Sequence, residues 1–326
     1  MNIFSGSKVL ITGGLGFIGS NLAYSLVNYG ADVTLVDSLI PNYGGNLFNI
    51  YGIEDKVRIN YSDVRDQYSM NHLIKDKDIL FNLAGQTSHI DSMQDPYTDL
   101  DINCRSQLSI LEGCRCYNPD IRVVFASTRQ MYGRPDFLPV NEKHPLRPVD
   151  VNGINKMAGE WYHILYNNVY GIRSCALRLT NTYGPRMRIK DARQTFVGVW
   201  IRQLLEGGAI DVWGGDQLRD FTYVDDVVQA MLLCVINNDT WGRVFNLGGE
   251  SVVSLRQLAE LLIDINGQGC YKLKEYPPER MKIDIGDYYS DFDLISKVTG
   301  WQPTVTLAEG LTQTLDFFRS HKAHYI

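Results

Sequence analysis

Short runs of apolar, often β-branched residues alternate along the chain with longer stretches in which apolar residues recur every three or four positions. The short runs are typical of buried strands and the longer stretches of amphipathic helices, so their alternation predicts a parallel sheet covered by helices on both faces. The strands predicted for the first half are 8–12, 32–36, 57–60, 79–83, 122–126 and 173–179. Helices are predicted between them, including 96–117 and 151–170. The expected fold class is α/β, with a doubly wound parallel sheet.

The alternation becomes irregular after Pro185. Loops are predicted at 185–192 and 267–287, with shorter helices and strands around them. We therefore expect a main domain over residues 1–180 and a smaller α/β substrate lobe over 181–326. A helix at 224–236 and a strand at 244–248 are expected to return to the main sheet.

A glycine-rich segment, Gly13-Gly14-Leu15-Gly16-Phe17-Ile18-Gly19, directly follows the first predicted strand. Glycine allows a sharp turn and a close approach of pyrophosphate to bare backbone, and the helix that follows offers free N–H groups and a positive dipole end. Asp37 closes the second predicted strand 18 residues after Gly19. A carboxylate at about that spacing meets the adenosine ribose hydroxyls and repels a 2′-phosphate. The pattern predicts a dinucleotide site and favours NAD over NADP, with Gly13, Gly16, Phe17, Ile18, Gly19 and Asp37 as cofactor-binding residues.

Composition and charge argue against several classes of function. The chain has 326 residues, 44% of them hydrophobic, and a net charge of -6 with scattered basic residues, which disfavours nucleic acid or an anionic membrane as a partner. No apolar stretch approaches the ~20 residues that span a bilayer, and the start of the chain lacks signal-peptide features, so we expect a cytoplasmic protein. Six cysteines without zinc-type spacing favour buried reduced thiols and no metal site.

Further motifs follow in a characteristic order. They are Asp63-Val64, Asn82-Leu83-Ala84-Gly85, Ser127-Thr128 before Met131-Tyr132-Gly133, Lys156 with Glu160, Leu179-Thr180-Asn181-Thr182-Tyr183-Gly184-Pro185, Arg219-Asp220-Phe221-Thr222-Tyr223-Val224-Asp225-Asp226 and Gly300-Trp301-Gln302-Pro303. With these motifs the chain resembles, nearly end to end, the extended short-chain dehydrogenase/reductases of the NAD-dependent nucleotide-sugar epimerase/dehydratase family. The resemblance implies a Rossmann-type domain that holds NAD and a C-terminal lobe that holds a nucleoside-diphosphate sugar. It also implies a homodimer formed through helices near 96–117 and 151–170.

The resemblance carries over to further binding residues. Asp63 and Val64 would line the adenine, and Leu83, Ala84 and Asn103 would lie along the cofactor, although packing at the strand end would also explain Leu83 and Ala84. The candidates for binding the sugar diphosphate are Asn181, Arg219 and Arg280. Arginine suits this role because its planar guanidinium matches phosphate oxygens. A solvated loop arginine is the alternative for Arg280.

The catalytic positions implied by the resemblance contain one departure from the family. There a tyrosine four residues before a lysine works with a serine or threonine at a strand end; here the hydroxyl is Thr128, the lysine is Lys156, and Asn152 stands where the tyrosine belongs. A tyrosine whose pKa is lowered can take the proton of a sugar hydroxyl as hydride leaves, whereas an amide neither gains nor releases a proton at working pH. We therefore expect Thr128, Asn152 and Lys156 at the reaction centre, with a non-standard acid/base set.

Three explanations of this departure stay open. The first is that another group is the base, and the candidates are Tyr132, Tyr183, His89, Lys190 and a water oriented by Asn152 and activated by Lys156. The second is chemistry that is slow or independent of redox, and the third is a silent protein that only binds NAD and a sugar nucleotide. We favour the first because Lys156 and Thr128 are retained. The predicted function is an NAD-dependent nucleotide-sugar epimerase acting through a transient keto sugar, with a nucleotide-sugar dehydrogenase or reductase and a silent binding protein as alternatives.

The two residues after Thr128 argue against 4,6-dehydration. Family dehydratases place an Asp-Glu pair there, whereas this chain has Arg129-Gln130, which cannot exchange protons at neutral pH. For Arg129, contact with a carboxylate or phosphate of the substrate and packing against a nearby helix are equally open. The nucleotide base and the sugar are open as well; in the family, the loops near 194–199 and 210–215 recognise the base.

Overall fold

Seven parallel strands form the central sheet in a computed structural model, which describes residues 2–41 and 43–326. The strands are β1 Lys8–Thr12, β2 Asp32–Val36, β3 Val57–Asn60, β4 Ile79–Asn82, β5 Arg122–Thr128, β6 Arg173–Leu179, β7 Asn181–Tyr183, β8 Ala209–Trp213, β9 Leu218–Tyr223, β10 Val244–Asn246, β11 Val252–Ser254 and β12 Cys270–Lys274. The central sheet has the order β10-β6-β5-β4-β1-β2-β3. Two smaller sheets have the orders β11-β9-β7 and β12-β8.

The helices connect these strands. The α-helices are α1 Phe17–Asn28, α2 Gln67–Ile74, α3 His89–Gln94, α4 Pro96–Leu100, α5 Ser106–Tyr117, α6 Val151–Tyr170, α7 Phe196–Leu205, α8 Val224–Ile236, α9 Leu255–Asn266, α10 Pro278–Met281, α11 Asp293–Thr299 and α12 Leu307–His321. Short 3-10 turns lie at Asn2–Phe4, Leu47–Ile50, Glu54–Lys56, Arg129–Tyr132, Asn238–Thr240 and Lys322–His324.

Both faces of the central sheet are buried, as the apolar strands predict. Val9 and Ile11 of β1 pack into a core with α1 and α8, whereas Leu10 between them packs into a core with α2 and α5. Successive side chains of a strand point to opposite faces, so this alternation requires helices on both sides. The predicted doubly wound Rossmann-type sheet is confirmed.

The strand order reverses between β1 and β4, and the side chain of Thr12 joins these two strands at their carboxyl ends. Its Oγ1 donates to Asn82 Oδ1 at 2.9 Å and accepts from the N–H groups of Leu83 and Ala84 at 3.0 and 3.1 Å. In open parallel sheets a ligand binds where the order reverses, beyond the carboxyl ends of the strands. The topology therefore places the candidate site at this edge.

Most of the predicted bounds agree with the structure, with small differences at three strands. β4 ends one residue before the predicted 83, and β5 continues two residues beyond the predicted 126, so that Thr128 is its last residue. The predicted helix 224–236 is α8, and the predicted strand 244–248 is β10, which ends at Asn246. Both pack with the main sheet as expected.

The predicted helix 96–117 is not one regular α-helix. A π-helical turn, Asp101–Arg105, separates α4 from α5. Such turns are rare and are enriched at functional sites. The periodicity of apolar residues does not reveal the extra residue of a π turn, because the helical face continues on both sides of it.

A second core lies in the part of the chain after β6. It joins α7, α9 and α12 to the strands β8 and β9. The prediction of a loop over 267–287 was wrong in part: Cys270–Lys274 forms β12, which pairs with β8, and Pro278–Met281 forms α10. The side chains of β12 are mostly exposed, so the strand lacks the apolar run by which the others are recognised. Ile295 of α11 and the nearby Trp301 return to the main core, which the sequence did not predict.

Two further expectations concern the state of the cysteines and the presence of membrane-spanning helices. All six cysteines are unpaired; Cys116 and Cys270 are exposed, so the expectation of buried thiols was wrong for these two. No helix in the described part of the chain is long and apolar enough to cross a membrane.

Candidate functional site

The glycine segment forms a tight turn from β1 into α1. Gly13 has a φ of 67°, in the left-handed region, and its N–H donates to Val36 O at 2.8 Å. A Cβ on Gly19 would lie 2.3 Å from Gly13 O, so a side chain there is incompatible with this turn. The bare backbone of the turn and the first N–H groups of α1 therefore face the sheet edge, as a pyrophosphate requires.

A cleft lies at this edge, and the predicted cofactor residues line it, apart from Asn103 and Lys156. Its lining contains Gly13, Gly16, Phe17, Ile18, Gly19, Asp37, Asp63, Val64, Leu83 and Ala84. Gly85 and Ala126 extend the lining toward the end of β5. The side chains present therefore fit a dinucleotide that runs from the turn to the reaction centre.

Asp37 and Asp63 line the part of the cleft that the sequence predicts for the adenosine. The carboxylate of Asp37 accepts hydrogen bonds from Leu15 N at 3.1 Å and Leu39 N at 2.9 Å. Burial raises the pKa of Asp37, and these two hydrogen bonds oppose the rise. Each carboxylate oxygen has a second acceptor site, so Asp37 can also accept from ribose hydroxyls. Asp63 forms a bidentate ion pair with Arg65, with distances of 3.0 and 2.7 Å.

Two loop segments close over the cleft, and sequence reasoning did not predict their contribution to it. Residues 43–45 and Gln194 belong to the lining, and Arg188 Nη1 donates to Tyr43 O at 3.0 Å. A bidentate ion pair with Asp191, at 2.8 and 2.6 Å, holds the Arg188 guanidinium in place. We call residues 43–45 and 188–194 the cover of the cofactor cleft.

Lys156 lies directly beneath the residues that line the cleft. Its buried Nζ donates to Ala126 O at 3.0 Å, and a Cβ on Gly85 would lie 2.9 Å from the same Nζ. Burial lowers the pKa of Lys156 to about 8, and the negative charge of Asp99 partly opposes this. Thr128 follows Ala126 by two residues on β5, and its Oγ1 accepts from Gln130 N at 3.2 Å. The hydroxyl proton of Thr128 remains available to a substrate oxygen.

Asn152, in place of the family tyrosine, lies one helical turn before Lys156. The buried Asn152 Nδ2 donates to Gln86 O at 2.8 Å and to Asp99 Oδ2 at 3.0 Å. Both amide protons are therefore used, and only Oδ1 is left to accept a hydrogen bond from a water or a sugar hydroxyl.

Asp99 is the centre of a buried group that sequence reasoning missed. It is fully buried and accepts from the side-chain amides of Asn103 at 3.0 Å, Asn152 at 3.0 Å and Asn155 at 2.8 Å. We call these four residues the carboxamide cluster. Asn103 belongs to the π turn and, like Asn152, also donates to Gln86 O. The only available signal was the helical spacing of Asp99 before Asn103 and of Asn152 before Asn155.

The two candidate tyrosines are buried and serve as packing residues. Tyr132 donates to Asn246 Oδ1 at 2.7 Å and accepts from Arg178 Nη1 at 2.6 Å, and burial raises its pKa to about 12. Tyr183 packs against Tyr223 in the second core, and burial strongly raises its pKa. Neither phenol is suited to take a proton near neutral pH.

The contacts of His89 and Lys190 show where these two candidate bases lie. His89 Nδ1 lies 2.9 Å from Asp150 Oδ2, but the ring N–H is not aligned for a hydrogen bond. Asp150 caps α6 through Gly153 N and accepts from Gln130 Nε2 at 2.8 Å, so His89 borders the start of that helix. Lys190 is exposed, and its carbonyl accepts from Arg202 of α7.

The predicted substrate residues fall into two connected groups. Asn181 accepts from Arg129 Nη2 at 3.0 Å and donates to Asp220 O at 3.0 Å. Arg219, next to Asp220 on β9, lies 3.4 Å from Asp284 Oδ1 and donates to Leu218 O. The arrangement brings Asn181 and Arg219 to one end of the small sheet, together with Arg129.

Arg280 reaches this cluster through aromatic neighbours. Its guanidinium carbon lies 4.3 Å from the ring centroid of Trp213. The ring of Tyr276 stands edge-on to Trp213, and its hydroxyl donates to Asp284 Oδ1 at 3.1 Å. Arg280 therefore belongs to α10 and stacks on an aromatic ring, while its side chain stays partly exposed.

Comparison with known proteins gives a consistent result. Residues 9–248 match the model of the NAD dependent epimerase/dehydratase family. The UDP-glucose 4-epimerase of Mycolicibacterium smegmatis is 31% identical over 315 residues, which cover 96% of this chain and 99% of that protein. UDP-glucuronic acid decarboxylase 1 of Xenopus tropicalis is 31% identical over 327 residues, covering 97% of this chain and 73% of that protein. The crystal structure of UDP-glucose 4-epimerase with UDP-glucose from Thermotoga maritima superimposes with a TM-score of 0.87 at 29% identity, covering 97% of this chain and 99% of that one.

Proposed function

The chain belongs to the NAD dependent epimerase/dehydratase family, and from that premise we propose that it epimerises a nucleoside-diphosphate sugar with the amine of Lys156 as its acid/base group. NAD is the cofactor, and when bound it accepts a hydride from the sugar and returns it. The backbone turn at Gly13 would hold the pyrophosphate, and Asp37 would hold the adenosine ribose. Leu83 and Ala84 would line the path to the reaction centre.

The observation that carries this proposal is the position and basicity of Lys156. Its amine lies between Gly85 and Ala126, both of which line the cofactor cleft, and its pKa is lowered to about 8. A base with a pKa near the working pH combines a useful neutral fraction with a real affinity for the proton. The neutral amine would take the proton of the reacting hydroxyl and give it back when the hydride returns.

Thr128 and Asn152 would position the reacting oxygen. The Thr128 hydroxyl, whose lone pair accepts from Gln130 N, is free to donate to the hydroxyl or keto oxygen of the sugar. Asn152 Oδ1 would accept from a sugar hydroxyl or from a water that passes the proton to Lys156. The carboxamide cluster keeps this oxygen in place, because both protons of the Asn152 amide are bound.

The surroundings of Gln130 support epimerisation over 4,6-dehydration. Gln130 is buried and donates to Asp150 at the start of α6, so it acts as a structural residue where a dehydratase needs a carboxylate. Arg129 stays protonated at neutral pH, so it cannot serve as an acid/base group there. Elimination of water from the sugar would have no acid/base pair at these two positions.

Incubation in deuterated water distinguishes the candidate activities. The purified protein would be mixed with UDP-glucose first, because relatives are named for UDP-sugars, and then with dTDP-, GDP- and CDP-sugars. Inversion at one sugar carbon, seen by NMR, is the expected result. Net accumulation of reduced nicotinamide would identify a dehydrogenase, and binding without either change would leave a silent binding protein.

Variants of the reaction centre test the assignment of roles. Lys156→Arg keeps the charge but cannot become neutral, so it should lower the rate of epimerisation by about 10²–10⁴-fold while nucleotide-sugar binding persists. Thr128→Val should lower kcat and leave the pH profile in place. Full activity of Lys156→Arg would contradict the assigned role of the amine.

We further propose that the protein is a homodimer formed through α5 and α6. Ile154, Trp161 and Leu165 of α6 are 50%, 57% and 49% exposed, and their spacing places them along one face of the helix. Tyr97 of α4 is 77% exposed on the helix that packs beside α6. Light scattering after gel filtration should give twice the chain mass, and Trp161→Glu should give the monomer. A monomeric wild-type protein would overturn this arrangement.

A further inference from the structure

We propose that Arg129 selects a sugar that carries a carboxylate, so that the substrate is a nucleoside-diphosphate derivative of an acidic hexose such as a hexuronic acid. This inference rests on the proposed function, because it names the substrate class for the same site. It assigns to Arg129 the binding of a sugar carboxylate and leaves the diphosphate to the arginines of the second lobe.

Arg129 stands where the two halves of the substrate site meet. It directly follows Thr128, whose hydroxyl faces the reacting oxygen in the proposed function, and its Nη2 donates to Asn181 Oδ1 at 3.0 Å. Its guanidinium carbon lies 5.0 Å from the ring centroid of Tyr288, which supports one face of the planar group. The side chain is therefore fixed next to the position assigned to the sugar.

The guanidinium of Arg129 can form a further hydrogen bond. Its Nη1 is buried and has no hydrogen-bond partner among the described residues, and no carboxylate there forms an ion pair with it within 4 Å. Burial and the like charge of Arg219 lower the pKa of Arg129 to about 10, so it stays charged at neutral pH. A buried donor without an acceptor destabilises the folded protein. A bound anion would remove this destabilisation.

The neighbouring acids lie too far from Arg129 to pair with it directly. Asp284 accepts from Tyr276 and from Gly286 N and lies against Arg219. Asp220 Oδ2 accepts from Ser290 N at 3.0 Å, and its buried Oδ1 has no hydrogen-bond partner among the described residues. Both acids stabilise the charge of Arg129 from a distance, but neither forms an ion pair with it within 4 Å.

A carboxylate fits this position better than the diphosphate does. Arg219 and Arg280, both in the second lobe, already provide two positive charges for the two charges of a diphosphate. Arg129 instead extends from the end of β5, where Thr128 faces the sugar. A planar guanidinium binds a carboxylate through two parallel hydrogen bonds, which gives both affinity and orientation.

Binding measurements with a matched pair of ligands test the assignment without any need for turnover. Titration calorimetry would compare UDP-glucuronate, UDP-glucose and UDP on the NAD-loaded protein. The wild type should bind UDP-glucuronate about 10- to 100-fold more tightly than UDP-glucose, the range expected for a charge-assisted hydrogen bond of about 1.5–3 kcal/mol. Arg129→Gln should remove this preference and leave the affinities for UDP-glucose and UDP within about threefold.

Two further variants make the outcome decisive. Arg122→Gln removes a positive charge from the opposite end of β5 and should keep the preference. Arg129→Lys keeps the charge without the planar fork, so it should keep part of the preference even if Arg129→Gln folds poorly in a thermal melt. If Arg129→Gln loses affinity equally for all three ligands, Arg129 binds phosphate and the assignment is overturned. The assignment is also overturned if the wild type binds UDP-glucuronate and UDP-glucose equally tightly, or if it binds neither of them. A protein that prefers the acid without epimerising it would contradict the proposed function and keep this inference.

Discussion

The pH dependence of turnover is the sharpest consequence of the buried amine. Lys156 must be neutral to accept a proton, so the rate should rise with pH as the amine loses its own proton. With a pKa of about 8, the neutral fraction increases from about one eleventh at pH 7 to about ten elevenths at pH 9, which is about a tenfold rise in kcat/KM. An ordinary lysine with a pKa near 10.4 would give about a hundredfold rise over the same interval and no plateau.

The assay is a series of initial rates of epimerisation between pH 6 and 10, followed by NMR on protein loaded with NAD. Thr128→Val serves as the control, because it should lower the rate at every pH and leave the midpoint unchanged. Lys156→Arg should lose about 10²–10⁴-fold in rate, the usual contribution of a general base. A profile that is flat from pH 6 to 9, or one that still rises tenfold per pH unit at pH 10, would refute the assignment.

The same shift predicts a change in folding stability. The folded pKa of Lys156 is lowered from 10.5 to about 8, so below pH 8 the folded state carries a buried charge that the unfolded chain holds in water. The group's contribution to stability therefore rises between pH 8 and 10.5 by about 3 kcal/mol, at about 1.4 kcal/mol per pKa unit. Lys156→Met should be more stable than the wild type at pH 7 in urea unfolding, and the difference should vanish above pH 10.5. A variant less stable at pH 7 would contradict the pKa direction.

Three further changes test the cofactor site and the carboxamide cluster. Gly19→Ala places a Cβ 2.3 Å from Gly13 O, so calorimetry on the NAD-free protein should show at least about tenfold weaker NAD binding, and unchanged affinity would contradict the described turn. Asp37→Ser removes the carboxylate that repels a 2′-phosphate and should shift the NADP-to-NAD affinity ratio by about tenfold or more toward NADP; an unshifted ratio would mean that Asp37 does not face the ribose. Asp99→Asn replaces one of two acceptor oxygens with a donor that faces other donors and should cost about 2–4 kcal/mol in urea unfolding, whereas a loss below about 0.5 kcal/mol would show that the cluster contributes little.

The sequence was informative where one local constraint decides the structure. Strands buried on both faces are largely apolar, so β1, β2 and β6 were predicted with their observed bounds. The bounds of the partly exposed edge strand β3 were also predicted. The turn at Gly13 and Gly19 leaves no space for side chains, so glycine itself marks the site. Family resemblance is the basis on which Thr128 and Lys156 are proposed for the reaction centre.

The sequence was less informative where contacts between distant segments decide the structure. The carboxamide cluster joins Asp99 to Asn155 across 56 positions, and no periodic pattern reveals such a pairing. The same holds for β12, whose exposed side chains leave its strand character to its pairing with β8. The surroundings of the other candidate bases also depend on such contacts. The structure shows that Tyr132 donates to Asn246 and that Lys190 faces solvent.

The cover of the cofactor cleft has a consequence for how such an enzyme would be supplied with its oxidant. We expect a dinucleotide in the cleft to leave slowly while the hydrogen bond from Arg188 to Tyr43 O is formed, because it joins the two segments of the cover. An epimerase returns each hydride to the carbon that lost it, so one trapped molecule suffices for many cycles. We therefore expect the purified protein to contain bound dinucleotide. We also expect its turnover rate to be insensitive to the ratio of oxidised to reduced dinucleotide in solution.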